Sequence, residues 1–225
     1  MSIRIALYYA PAIDDLLWQR ACRWLCRDPE TNAMLAQPDV PQIAAVTASA
    51  RLYGFHATLK PPMRLKLGAT YPQAIDAVRE IAAGIAPFAL PPLAVADLGG
   101  FLALRETRES MALQALADAC VAGLDHLRGP LDEAELARRR RHGLSAAEDA
   151  MLTRWGYQHV FSTWTFHMTL TRRLTVEEKS VFLQAASDHF ADALAMPREV
   201  TDIAVFTEAH DGAAFLLAER ISLRG

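Results

Sequence analysis

Two copies of one tripeptide pattern carry the chemistry of this sequence: His56-Ala57-Thr58 and His167-Met168-Thr169. An imidazole takes or gives a proton close to neutral pH, because its ordinary pKa is about 6.5. A threonine hydroxyl donates a hydrogen bond without carrying charge. Two of each around one cleft could remove a proton on one side of a substrate, deliver one on the other, and hold anionic oxygens between them. Both pairs lie inside alternating segments, Phe55-His56-Ala57-Thr58-Leu59-Lys60 and Phe166-His167-Met168-Thr169-Leu170-Thr171. Strand side chains alternate between faces, so Phe55, Ala57 and Leu59 share one side and His56, Thr58 and Lys60 the other. In the second copy, Phe166, Met168 and Leu170 oppose His167, Thr169 and Thr171. Within each strand the His and Thr α-carbons are roughly 7 Å apart, two strand rises.

The elements that must position these pairs can be read along the chain. Residues 3–9 alternate like a strand, and Asp14-Asp15 opens an amphipathic helix to about Cys26. Residues 28–50 are punctuated by Pro29, Pro38 and Pro41 and read as a loop with short helical pieces. The first His strand spans 54–60 and is predicted to end at Pro61-Pro62, since proline cannot donate to a ladder. A helix over 71–85 follows, then either a strand pair or a bulged strand over 93–105, with Gly99-Gly100 in its middle. Helices are predicted over 110–127, 132–142 and, from the Ser145/Glu148 capping box, to about Trp155. The second His strand is placed at 164–171. The Thr175/Glu178 capping box opens a helix to about 193, and strands near 200–207 and 213–222 close the chain. The order strand, helix, His strand, helix, strand is thus written approximately twice. There is no Gly-rich phosphate loop, and the His strands are half polar, unlike parallel strands buried on both faces. The pattern predicts an α+β fold with antiparallel sheets, one per lobe, helices on their outer faces, and a polar cleft between.

Composition narrows the function classes. The chain has 225 residues, is 52% hydrophobic, and carries 23 Lys and Arg against 26 Asp and Glu. That suits one bilobal domain over 1–225 with an ample core. Its net charge of −3 offers no global basic field for DNA or long RNA, so any phosphate site must be built locally. Mean hydropathy is only +0.09, and no apolar run reaches spanning length, so no membrane partner is expected. The start of the chain lacks the features of a signal peptide, and a cytoplasmic location is expected. Cys22, Cys26 and Cys120 read as free thiols. Cys22 and Cys26 share a helix face, but no His or Cys cluster completes a metal site. His126, His142, His159, His189 and His210 are scattered and suggest no ligand set. No metal and no cofactor is expected.

The paired His-x-Thr motifs, 111 positions apart, resemble those of the two-histidine phosphoesterase superfamily. Further blocks, Arg51-x-Tyr53-Gly54-Phe55-His56-Ala57-Thr58-Leu59-Lys60, Leu98-Gly99-Gly100-Phe101 and Leu136-Ala137-Arg138-Arg139-Arg140, resemble one branch of it. Genes of that branch occur in operons for phosphonate use. The resemblance covers nearly the whole chain. It implies a bilobal fold of two pseudo-symmetric antiparallel sheets flanked by helices around a central cleft, with His56, Thr58, His167 and Thr169 as the active-site quartet. It implies a metal-independent cyclic phosphodiesterase acting on a small phosphorylated sugar or nucleotide cyclic phosphate in phosphonate metabolism. An RNA-end 2′,3′-cyclic phosphodiesterase and a non-catalytic binder of phosphorylated ligands are the alternatives.

In such a reaction one of His56 and His167 takes a proton from water and the other protonates the leaving oxygen; the sequence leaves open which is which. Thr58 and Thr169 would hold the non-bridging phosphate oxygens. Lys60 either continues the polar face toward the phosphate or is a solvated strand-end lysine. Tyr53, Phe101 and Tyr8 either flank a base or sugar ring or pack in the core. Arg172 and Arg173 either add charge at the cleft rim or pair at the surface. The run Arg138–Arg141 either meets a helix C-terminus or forms a lid for a second phosphate.

Overall fold

A computed structural model describes residues 3–141 and 143–225 of the chain, so Met1, Ser2 and His142 lie outside the described residues. Local chemistry sets most element boundaries. Reciprocal capping boxes at Thr70/Gln73, Ser145/Glu148 and Thr175/Glu178 open three helices, and Asp15, Ser110 and Asp132 side chains cap three more. In chain order the elements are β1 (Arg4–Tyr9), α1 (Leu16–Trp24), α2 (Ile43–Tyr53), β2 (Ala57–Arg64), α3 (Tyr71–Ala83), β3 (Phe88–Leu90), β4 (Leu93–Leu98) and β5 (Phe101–Glu106). The remainder are α4 (Met111–Leu124), α5 (Glu133–Arg140), α6 (Ala146–Trp155), β6 (Met168–Thr169), α7 (Val176–Leu194), β7 (Arg198–Val200), β8 (Asp202–Glu208) and β9 (Leu216–Ser222). Gly99 and Gly100 both have positive φ, which is what a two-residue turn between β4 and β5 demands.

The fold is α+β with two antiparallel sheets of unequal size. Seven strands run in the order β4-β5-β6-β2-β1-β8-β9, and β3 pairs separately with β7. The large sheet consists of two half-sheets. Each His segment feeds the inner edge of its own half, β2 against β1 and β6 against β5. Among the described residues the halves are joined at a single register pair, Ala57 with Met168. The chain order repeats about this seam. A strand, a helix, a His strand and a second helix appear as β1, α1, β2, α3 and again as β5, α4, β6, α7. The helices are exchanged: α3 and α4 pack with the β2 half, while α1 lies on α7, which packs on β4. The main core lies beneath both halves and contains Phe55, Ala57, Leu59, Phe166, Met168 and Leu170, the apolar side of both alternations. A smaller cluster, including Tyr8, Trp18 and Phe206, fills the other face of β1 and β8.

Three local expectations are corrected. Residues 43–53 form a regular helix rather than part of a loop, because Ile43, Val46, Thr47 and Ala50 bury one stripe just past the last proline. The first His strand does not stop at Pro61-Pro62 but continues to Arg64. Successive residues aim their N–H groups at opposite edges. Both prolines fall in the register shift between the Leu7–Lys60 and Ile5–Met63 pairs, and β2 pairs with β6 only at Ala57, so the ladder is least demanding of an N–H there. The second His strand has two residues instead of eight. Its flanks are held irregularly: Leu102 O accepts from both Leu170 N and Thr171 N, and the Thr171 hydroxyl, buried, accepts from Leu102 N.

Candidate active site

The seam between the half-sheets gathers the quartet. One step either side of the Ala57–Met168 pair, the antiparallel register sets Thr58 across from His167 and Thr169 across from His56. Side chains directly opposite on such a pair stand about 5 Å apart at Cβ. Each histidine therefore faces the other copy's threonine, in a two-by-two array on one face of the sheet. Beyond the seam β6 has ended, and the Trp164 indole takes over, donating to Thr58 O at 2.8 Å.

Both imidazoles are held in the same way. His56 Nδ1 lies 2.9 Å from Gly54 O, and His167 Nδ1 lies 2.9 Å from Thr165 O, in each case two residues back along the chain. A carbonyl only accepts, so Nδ1 carries the proton in both and Nε2 is left as the acceptor nitrogen of the neutral ring. For His56 the local sequence explains this. Gly54 ends α2 at φ +76°, and a Cβ there would come within 2.9 Å of Pro29. Glycine thus lets the chain turn and present its carbonyl to the ring. The Thr58 hydroxyl is 3.3 Å from His56 Nε2.

The surroundings of the two rings differ. His56 is half-buried and stacked on Tyr8 with centroids 3.6 Å apart and planes 17° from parallel. Burial lowers its pKa from 6.5 to about 4; the Gly54 carbonyl opposes the shift, and His167 adds to it. His56 is therefore neutral near pH 7. His167 instead meets the edge of Phe101, centroids 6.0 Å apart at 67°. His159, read as an ordinary scattered histidine, belongs to this rim. Its Nδ1 is 3.6 Å from Glu148 Oε1; burial lowers its pKa, Glu148 opposes, and His167 is near enough to add to the lowering. Tyr157 sits beside it under the Arg139 guanidinium, 5.2 Å from the ring centre. No spacing in the sequence pointed to either residue, because the segment after α6 reaches the site only through the fold.

The secondary candidates separate. Tyr8 forms the floor under His56. It is fully buried, and its hydroxyl has no hydrogen-bond partner. Phe101 flanks His167. Tyr53 is exposed and stacked on Phe215, centroids 5.3 Å apart, at the edge of a cleft of about 590 Å³. That cleft runs along the second half of β2, with Lys60, Met63, Arg64 and Trp155 among its lining residues; none of the quartet lines it.

Lys60 is a correction. Tyr8 pairs with Thr58 but Leu7 pairs with Lys60, so Leu59 is the extra residue of a bulge. Alternation is reset, and Lys60 comes to stand opposite the core residue Leu7 instead of continuing the His56–Thr58 face. Its amine is buried and donates to Val121 O at 3.0 Å, one of the last carbonyls of α4, which the helix itself leaves unpaired. Burial lowers its pKa to about 8, with Asp125 opposing the shift.

Five of the arginines named from the sequence for the rim or a lid, all but Arg141, have partners of their own. Arg172 makes two bonds to Glu178, at 2.9 and 2.8 Å, and Arg173 donates to Gly99 O. Arg138 and Arg139 both bond Glu135, and Arg140 bonds Asp149. The helix-end reading of that run is the one these pairs support. Cys22 and Cys120 are buried free thiols; burial pushes Cys120 up to about 12. Among the described residues, no three His, Cys, Asp or Glu side chains gather as a metal site, and no helix is long and apolar enough to cross a membrane.

Fold and site together define an α+β protein with paired His-x-Thr motifs across a pseudo-twofold seam. Residues 58–216 match the family described as a protein of unknown function, DUF1045, and the chain belongs to that family. A protein of Janthinobacterium sp. (strain Marseille) named ribose 1,5-bisphosphate phosphokinase PhnN is 38% identical over 232 residues, covering 99% of this chain and 51% of that protein. A protein of the same name from Laribacter hongkongensis (strain HLHK9) is 38% identical over 224 residues, covering 98% and 52%. The chain spans about half the length of the curated relatives it matches. Among solved structures, a phosphoesterase aligns over 100% of both chains at 12% identity and a TM-score of 0.46. E. coli LigT complexed with NADP+ aligns over 100% of both at 11% and 0.45. At that level the functional reading rests on the site's own geometry.

Proposed function

We propose that this chain is a metal-independent cyclic phosphodiesterase in which His56 is the general base and His167 the general acid. The supporting observation is the array itself: two imidazoles, both tied through Nδ1 and offering Nε2, each facing the other's threonine across the seam. In-line hydrolysis needs a base and an acid on opposite sides of phosphorus, and a twofold arrangement supplies that. His56 Nε2 takes a proton from water as the new P–O bond forms. The ring P–O bond breaks, and the departing sugar oxygen receives its proton from His167 Nε2. Thr58 and Thr169 donate to the non-bridging oxygens, where charge builds in the transition state. His56 takes the base role because burial against Tyr8 keeps it neutral, as a base must be at the start of the cycle.

The substrate class we propose is a small phosphorylated sugar cyclic phosphate, such as ribose 1,2-cyclic phosphate 5-phosphate, in a cytoplasmic phosphonate-degrading route. The curated relatives are named for a kinase of ribose 1,5-bisphosphate, and opening such a ring at the 2-oxygen yields that compound. This chain's three lysines, Lys60, Lys66 and Lys179, follow Leu, Leu and Glu, so it carries no Gly-Lys phosphate loop. We therefore assign the named kinase activity to the half of those relatives that lies outside the alignment, with ring opening in this half. The cleft beside Tyr53 is of a size to take the sugar portion.

The test is turnover in chelator against ribose 1,2-cyclic phosphate 5-phosphate, 2′,3′-cyclic nucleotides and a cyclic-phosphate-ended oligonucleotide. Preferred hydrolysis of the sugar phosphate is expected. Preference for the oligonucleotide would move the reading to RNA ends. A folded protein that binds these compounds but turns over none would be a binding protein.

A further inference from the structure

The proposed reaction brings a phosphodiester anion to four side chains that carry no fixed positive charge. Lys60, the cation closest in sequence, is turned into the core by its bulge. Arg172, Arg173, Arg138, Arg139 and Arg140 are committed to Glu178, Gly99 O, Glu135 and Asp149. We propose that Arg105, on β5, is the anion-binding cation of the site, donating to the non-bridging oxygens of the phosphoryl group held beside His167. The role in substrate binding rests on the phosphodiesterase reading above; the anion site itself does not.

The register of β5 places Arg105 there. Leu102 and Leu104 point into the main core, so Phe101, Ala103 and Arg105 share the other face. That face is the site's: the Phe101 ring touches His167, and Ala103 pairs with Thr169. Leu104 pairs with Met168, and one step further along the same register Arg105 falls across from His167. On the outer side it pairs with Ala94, and Ala103 with Ala96, so β4 presents only methyl groups beside it. The guanidinium is also uncommitted. Among the described residues its buried Nε has no hydrogen-bond partner, and its one ion pair, to neighbouring Glu106, is long at 3.6 Å. A buried guanidinium N–H left unpaired is costly, and a planar fork of donors matches phosphate oxygens. Nothing in the sequence singled out this residue, because its motif-sized context, Phe101-Leu102-Ala103-Leu104-Arg105, reads only as a strand.

The test uses inorganic phosphate as the probe, so that it does not depend on turnover. Calorimetric titration of Arg105→Gln is expected to show phosphate binding about tenfold to a hundredfold weaker than wild type, with Arg105→Lys between them. In wild type, the Arg105 Nε–H resonance is expected to shift as phosphate is added, a readout that survives if a variant folds poorly. Equal phosphate affinity in Arg105→Gln, or an unmoved resonance, would overturn the proposal. Kinetics separate two sources of the anion. An equal loss of kcat/KM on 2′,3′-cyclic AMP and on ribose 1,2-cyclic phosphate 5-phosphate is expected for contact with the reacting phosphoryl group. A loss confined to the second compound would place Arg105 on its 5-phosphate and overturn the assignment. Phosphate binding that depends on Arg105 in a protein that hydrolyses nothing would leave the anion site standing while the phosphodiesterase reading fell.

Discussion

The two His-x-Thr copies are alike in what they present and unlike in what surrounds them. Each ring is pinned through Nδ1 to the carbonyl two residues back, at 2.9 Å in both. The first copy is a half-buried imidazole one residue before an eight-residue strand, stacked flat on Tyr8. The second immediately precedes a two-residue strand, meets an aromatic edge, and shares its rim with His159 from the segment after α6. A repeated motif therefore fixes which nitrogen is left unprotonated, while non-repeated packing lowers the pKa of His56.

The strongest way to break the comparison is to remove either ring. His56→Ala and His167→Ala are each expected to lower kcat by about a thousandfold or more, and the double variant by little beyond that, since the pair acts as a unit. Steady-state rates on the preferred cyclic phosphate check this. Survival of one single variant at near wild-type rate would mean that the copies do not work together. Thr58→Val and Thr169→Val should each cost about tenfold to a hundredfold in kcat/KM. The loss at Thr58 should come with an altered acid limb, because its hydroxyl also reaches His56 Nε2.

The pH dependence sharpens the difference. His56 has a folded pKa of about 4 against an ordinary 6.5, so the unfolded chain binds more protons between those values. Its contribution to stability is thus complete above about pH 6.5 and is lost as pH falls toward 4. Denaturant midpoints for wild type should fall across that window, and more steeply than for His56→Gln. Lys60→Met tests whether the bulge truly removes that residue from the chemistry. It should leave kcat within about threefold while lowering stability by about 1–3 kcal/mol, as Val121 O loses its donor. Smallest of all, Tyr8→Phe removes a hydroxyl that has no partner, and should leave the melting temperature unchanged or slightly raised.

Much of this was legible in the chain. The apolar members of both alternations all reached the main core, and the capping boxes at Ser145 and Thr175 opened helices where their spacing said they would. The quartet came together because a period of two survives from sequence to strand wherever the pairing is regular. What failed to show was whatever depends on a partner strand. Lys60 obeyed the period until a bulge, defined only by β1, reset it. Pro61-Pro62 looked like a stop, yet sits where β2 has one unpaired edge and one register shift. The predicted sheets, one per lobe, are present as half-sheets, and only the pairing of Ala57 with Met168 reveals that they meet edge to edge. Arg105, Tyr157 and His159 carry no motif and approach the site from strands and loops distant in sequence.

The measurement that bears most directly on the division of labour is an NMR titration of the two ring systems in ¹⁵N-histidine-labelled protein, assigned by the single variants. His56 should remain a neutral Nδ1–H imidazole down to about pH 5 and titrate near 4. If His56 instead titrates at its ordinary value near 6.5, or holds its proton on Nε2, then the packing around Tyr8 does not set it apart from His167 and its assignment as the base is wrong.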